Sequence, residues 1–265
     1  QSHVCEADIV LIATPTVGVR NAASLTRGNM KPGAFIVCSA KGFELGSLKM
    51  MTEVIREEHP DVPVVAFSGP SHAEEVSKGQ VTAIVAACDE AAPTAVIQDL
   101  FEGSNIRIYS SDDVVGVELG GGLKNVIALA AGIIHGMQLG DNALAALATR
   151  GLVEMMRLGV ALGGEPQTFS GLAGMGDLIT TCISPLSRNR RVGEQLAAGM
   201  ALDDILAGMQ GIPESVTTTK LAVGLARRHF VDMPITEQVA AVLWEGKEPR
   251  RALDELMSRA RKDED

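Results

Sequence analysis

Residues 114–134 read VVGVELGGGLKNVIALAAGII, and they divide the chain into two unlike halves. Apolar side chains fall at Val115, Leu119, Leu123, Val126, Ile127, Ala130, Ile133 and Ile134, the 3.6-residue spacing of a long helix with a broad buried face. Upstream the texture differs. Short apolar runs at 9–13 (IVLIA), 34–38 (AFIVC), 62–67 (VPVVAF), 81–86 (VTAIVA) and 106–109 (IRIY) have the look of strands buried on both faces. Helical patterns at 17–26, 48–57 and 91–101 lie between them, and that alternation predicts an α/β sheet covered by helices. Downstream the strands cease, and helical stretches follow at 142–162, 188–198, 201–209, 216–227, 236–243 and 250–261, separated by Gly and Pro. The expected architecture is a sheet domain over residues 1–111 and an all-helical domain over 112–265.

Composition narrows the function. The 265 residues carry 23 Lys and Arg against 33 Asp and Glu, a formal charge of −10, the wrong sign for tracking a nucleic-acid backbone. Six Phe, one Trp and one Tyr offer no base-stacking surface, so no nucleic-acid partner is expected. Cys5, Cys38, Cys88 and Cys182 are scattered without CxxC pairing, which reads as free thiols in a reducing compartment. The five histidines lack zinc spacing, and no metal is expected. No apolar run nears the length that spans a bilayer, so membrane insertion is not expected either.

Four constellations could carry chemistry. Lys124 stands in a helix of apolar and small residues, where desolvation would push its pKa down toward that of a general base; a lysine snorkelling from the helix edge is the alternative. The glycines at 120–122 weaken a helix and therefore call for a packing or ligand reason. Gly171-Leu-Ala-Gly-Met-Gly-Asp177 can hold a carboxylate on a tight turn, or can be a helix–helix turn capped by Asp177. Ser187-Arg188-Asn189-Arg190-Arg191 places Ser187 as an N-cap with three arginines in the first turn, where only an anion would offset their clash with the helix dipole. Finally, Ser39-Ala-Lys41-Gly42-Phe43 and Ser68-Gly69-Pro70-Ser71-His72-Ala73 follow strands and point to one crevice at the strands' carboxyl ends, with Ser71 placed as an N-cap.

These motifs together resemble the bacterial type of NAD(P)-dependent glycerol-3-phosphate dehydrogenase. The matching segments are SAKGFE (39–44), SGPSHAEEV (68–76), ELGGGLKNVIALAAGI (118–133), TRGLVEMMRLGVALG (149–163), TFSGLAGMGDLITTC (168–182), SRNRRVGEQL (187–196), TTKLAVGLA (218–226) and MPITEQV (233–239). They run in family order along nearly the whole chain. The resemblance implies an incomplete Rossmann-like domain followed by a helical domain of the 6-phosphogluconate-dehydrogenase-like type. It implies Lys124 as the catalytic base, and substrate contacts from Lys41, Gly69, Ser71, Lys124, Asp177, Ser187, Arg188 and Asn189. NAD or NADP would be contacted by Lys41, Ala73, Arg188, Ile212 and Glu214, the last in Pro-Glu-Ser where the family reads Val-Glu-Gly. The implied reaction interconverts sn-glycerol 3-phosphate and dihydroxyacetone phosphate in the cytoplasm, feeding glycerophospholipid synthesis. A homodimer is a further expectation.

Two alternatives stay open at this level: a dehydrogenase of the same plan acting on a 3-hydroxy acid or ketopantoate, and a truncated form that binds without turnover. The second arises because no G-x-G-x-x-G turn follows any strand, so the chain is expected to begin inside the dinucleotide-binding domain and to bind the cofactor poorly by itself.

Overall fold

The computed structural model describes residues 4–209, 211 and 213–260. Strands β1 (Ile9–Ile12), β2 (Phe35–Cys38), β3 (Val64–Ser68), β4 (Thr82–Ala87) and β5 (Ile106–Ser111) form one sheet in sequential order. β1, β2 and β3 are parallel; β4 runs antiparallel to β3, and β5 is parallel to β4. Helices α1 (Thr16–Thr26), α2 (Met51–Glu58), α3 (Ala73–Val76) and α4 (Ala91–Leu100) connect them.

The strand pleat sorts side chains to opposite faces. In β2, Ile36 and Cys38 join Val19, Ala23, Met51, Val54 and Ile55 beneath α1 and α2. Phe35 and Val37 point the other way, to Ile84, Ala86 and Ile97 under α4. All four β2 residues are therefore buried, which explains a run with no polar alternation.

The second half is helical: α5 (Val114–Gly136), α6 (Asp141–Ala161), α7 (Pro166–Phe169), a π turn (Leu172–Gly176), α8 (Asp177–Ile183), α9 (Arg188–Ala197), α10 (Leu202–Ala207), α11 (Glu214–His229), α12 (Pro234–Trp244) and α13 (Pro249–Met257). At 23 residues α5 is long and apolar enough to cross a membrane by composition, more so than the run lengths in the sequence indicate, but 94% of its apolar window is enclosed by the fold. It is the axle of the helical half, with Leu119, Leu123, Ile127 and Leu129 fully buried among α6, α8, α9, α11 and α12. A cavity of about 480 Å³ opens between α5, α6, α12 and α13, and no residue lining it belongs to the lysine cluster described next.

The glycine-rich stretch 171–176 departs from the expected simple turn. It winds as a π turn, with Gly176 N donating to Gly171 O at 3.1 Å, and runs straight into α8. Asp177 consequently lies inside a helix, and its carboxylate caps nothing.

Candidate active site

β2 and β3 are parallel neighbours, so the loops leaving their carboxyl ends lie side by side. Lys41, on the first loop, donates through Nζ to Gly69 O (2.8 Å) and Ser71 Oγ (3.3 Å) on the second, and to Asp177 Oδ2 (2.8 Å) at the head of α8. Ser71 is turned to this cluster: its Oγ donates to Gly69 O at 2.9 Å, and the N-cap of α3 is His72 instead. Lys124 reaches the same carboxylate from α5, pairing with Asp177 Oδ1 and donating to Thr181 Oγ1 at 2.8 Å. Two lysines from different elements thus share one buried acid.

Lys124 does not snorkel; 6% of it is exposed. Burial pulls its ammonium down to about 8, against the attraction of Asp177 and with the help of Lys41's charge. Burial also acts to raise the Asp177 carboxyl, but Lys124 and Lys41 outweigh it and hold the group below its ordinary value. An amine with a pKa near neutrality, oriented by a carboxylate and a hydroxyl, can take a proton from an alcohol.

The glycines ahead of Lys124 have a packing reason. A Cβ on Gly120 would lie 2.7 Å from Ala173 O of the π turn, and one on Gly121 would lie 2.3 Å from Ser68 Oγ. Only bare backbone lets α5 approach the strand-end loops closely enough for Lys124 to meet Lys41's partner.

Beside this cluster, Glu214 at the start of α11 accepts from Thr16 Oγ1 at 3.1 and 3.2 Å, joining the helical half to the first residue of α1. Burial raises its carboxyl pKa, with Thr16 opposing. Thr14 Oγ1, Ser215 Oγ and Thr218 Oγ1 lie near this contact, and Ser68 Oγ and His72 Nε2 near Lys41's loop; all five are buried without a hydrogen-bond partner among the described residues. Buried polar groups left unsatisfied near the strand ends are the kind that a polar ligand such as a dinucleotide can partner.

Residues 1–93 match the family model described as NAD-dependent glycerol-3-phosphate dehydrogenase N-terminus, and residues 113–254 match the model for the C-terminus. The chain belongs to the NAD-dependent glycerol-3-phosphate dehydrogenase family. It is 46% identical over 259 residues to a glycerol-3-phosphate dehydrogenase [NAD(P)+] of Desulfitobacterium hafniense, covering 98% of this chain and 74% of that protein. It is 47% identical over 262 residues to the protein so named in Enterococcus faecalis, covering 98% of this chain and 77% of that one. The crystal structure of glycerol-3-phosphate dehydrogenase from Coxiella burnetii superposes with a TM-score of 0.90 at 36% identity, covering 96% of this chain and 78% of that one. As in that family, the chain is an oxidoreductase with a Rossmann-type α/β sheet and a helical C-terminal domain.

Several expected glycerol-3-phosphate dehydrogenase contacts have other occupations in this structure. Ser187 Oγ accepts from Arg190 N at 3.2 Å and caps α9. Asn189 is buried; its Nδ2 donates to Asn125 Oδ1 at 2.8 Å and its Oδ1 accepts from Ser215 N at 3.1 Å, so its amide joins α9 to α5 and α11. Arg190 is bound to Glu194 and to Ile183 O. Arg188, by contrast, is exposed at the helix N-terminus with no hydrogen bond or ion pair among the described residues, and its charge reaches Glu214. Ala73 opens α3, and Ile212 lies outside the described residues. Sequence reasoning missed Thr181 and Thr16. Thr181 sits one helical turn after Asp177, and reading 177–183 as a helix would have placed both on one face.

Proposed function

We propose that the chain oxidises sn-glycerol 3-phosphate to dihydroxyacetone phosphate, and runs the reverse, with Lys124 as the base. The shared carboxylate carries the reading: Asp177 holds Lys124 and Lys41 together in one buried cluster, where burial leaves the Lys124 amine able to exchange a proton with the substrate's C2 hydroxyl. NAD or NADP would supply the hydride acceptor. In oxidation, neutral Lys124 takes the hydroxyl proton while Asp177 and Thr181 hold its Nζ in place. Lys41 and Ser71 face the same space and would hold substrate oxygens, with Gly69 giving the backbone close access. Arg188, unpaired among the described residues at the α9 N-terminus beside the capping Ser187, would grip the phosphate, with Asn189 fixing that helix end in place. Glu214 and Thr16, with Ala73 and Ile212, would border the cofactor.

The same proposal divides the chain into a dinucleotide-binding part (1–111) and a helical substrate part (112–265). It places the protein in the cytoplasm, supplying glycerophospholipid synthesis, and includes a homodimer. Both matching family models are glycerol-3-phosphate dehydrogenases, so the 3-hydroxy acid and ketopantoate alternatives have no comparable support. The test follows NADH and NADPH oxidation with dihydroxyacetone phosphate, unphosphorylated dihydroxyacetone and ketopantoate. Turnover confined to the phosphorylated ketone is expected. Equal use of the unphosphorylated ketone would overturn the reading, and no turnover with any would favour binding alone.

A further inference from the structure

Glu118 is a desolvated acid that the proton transfer does not use. It lies on α5, and its Oε1 accepts from Thr52 N at 2.9 Å while its Oε2 accepts from Thr52 Oγ1. Thr52 stands in the first turn of α2, so a carboxylate from the helical half serves the N-terminus of a helix in the sheet half. Between β2 and α2 runs the loop that carries Lys41. Its Lys41–Gly42–Phe43 stretch packs closely against α5. A Cβ on Gly121 would lie 3.5 Å from Lys41 Cγ, and one on Gly122 would lie 3.4 Å from Gly42 Cα and 3.2 Å from the Phe43 ring. Phe43 is itself buried in the helical core, although it belongs to the sheet half. Arg20 holds the outer turn through a two-pronged pair with Glu44, at 2.6 and 2.8 Å. The Glu118–Thr52 contact is the far anchor of the same loop.

We propose that Glu118 is a positioning residue, whose contact with Thr52 fixes the Lys41 loop on α5 and so sets how Lys41 and Lys124 share Asp177. The consequence for Lys124 has one sign. Its proton affinity is depressed by burial and by Lys41, and raised by Asp177 on α8; the Cys182 thiol on α8 also faces it. If the loop drifts outward, water reaches Lys124, the charge of Lys41 recedes, and Asp177 is left to Lys124 alone. Each change favours the ammonium form. Around Glu118 itself, burial lifts the carboxyl to about 7; Glu53 on α2 adds to this, Thr52 and Arg56 on α2 oppose it, and the Cys38 thiol on β2 lies within its field. Only the importance of this shift for turnover rests on the proposed role of Lys124.

The experiment uses the whole chain as wild type, Glu118→Gln, Thr52→Val and the double variant. Lysine labelled with ¹³C at Cε is titrated by NMR, the Lys124 signal being the one absent from Lys124→Ala. The midpoint of Lys124 is expected to rise by about half a unit or more in either single variant, and no further in the double. The kcat for glycerol 3-phosphate oxidation is expected to fall roughly threefold to tenfold near neutral pH, with the gap closing as the pH is raised. A lowered Tm with an unmoved midpoint and an unchanged pH profile would reduce Glu118 to a structural residue and overturn the proposal. A midpoint that moves in a chain whose turnover ignores Lys124 would instead leave this inference standing and sink the base assignment. Should Glu118→Gln fail to fold, Thr52→Val decides by the same titration.

Discussion

Lys124 meets two opposed demands: its burial disfavours the ammonium, and the carboxylate beside it favours the ammonium. The balance falls at about 8, low enough for an appreciable neutral fraction at physiological pH. The sign for activity follows from which form reacts. Oxidation needs the neutral amine, so its kcat should rise as pH passes through about 8; ketone reduction needs the ammonium, and its kcat should fall across the same interval. Lys124→Ala should abolish both limbs and lower kcat by roughly 10²–10⁴, with circular dichroism unchanged. A variant that keeps near-normal turnover and the same pH profile would remove Lys124 from the chemistry. Arg188 makes a different prediction, because a guanidinium can hold a phosphate by two parallel bonds and an ammonium cannot. Arg188→Lys should raise KM for dihydroxyacetone phosphate by about tenfold with a smaller change in kcat. An unchanged KM would pass the phosphate grip to exposed Arg191.

Among the elements, α5 and α9 define how close the two sides of the site can come. A Cβ on Gly132 of α5 would lie 1.9 Å from Arg190 O, and one on Gly193 of α9 would lie 2.0 Å from Leu129 O. The helices therefore touch backbone to backbone, and this brings the Arg188 end of α9 against the helix that carries Lys124. Gly132→Ala gains about 1 kcal/mol of helix propensity but forces two backbones apart, an overpacking cost of about 1–3 kcal/mol or more. The net effect should be a Tm lowered by several degrees. Gly224→Ala, within α11 where a Cβ meets nothing within 4 Å, should raise Tm slightly. Equal shifts in calorimetry would show that the α5–α9 crossing has room for a methyl group. Elements of this kind were mostly legible in the sequence: the five strands and the long helix follow from apolar runs and the 3.6-residue period. Residues 166–183 were not, because three glycines read as a turn. Packing overrides propensity there, with Gly174 so close that a Cβ would lie 2.1 Å from Phe169 O. The partners of Asp177 were also hidden, since Lys124 and Lys41 lie 53 and 136 residues from it in sequence. Resemblance named all three residues, but only the fold shows that they form one charge cluster.

Across the whole molecule, long-range carboxylates replace the caps that several helices lack. Glu154 on α6, 2% exposed, accepts from Ile235 N (2.6 Å), Thr236 N (3.1 Å) and Thr236 Oγ1 (3.0 Å), closing the α12 N-terminus across 81 and 82 residues. Burial pushes this carboxyl up to about 7, the three donors pull it down, and Asp232 adds to the rise. The folded value therefore exceeds the ordinary 4.5, and the folded protein holds a proton that the unfolded chain has released. The contribution of Glu154 to stability should be complete below about 4.5 and lost as pH rises through about 7, a change on the order of 3 kcal/mol at most. Denaturant unfolding of wild type and Glu154→Gln between pH 4.5 and 8 isolates it, because other titrating groups act on both proteins alike. The stability advantage of wild type over Glu154→Gln should shrink as pH rises. An advantage that grows with pH would mean that the three donors outweigh burial, that the group is a carboxylate throughout this range, and that α12 is held by charge rather than by a shared proton.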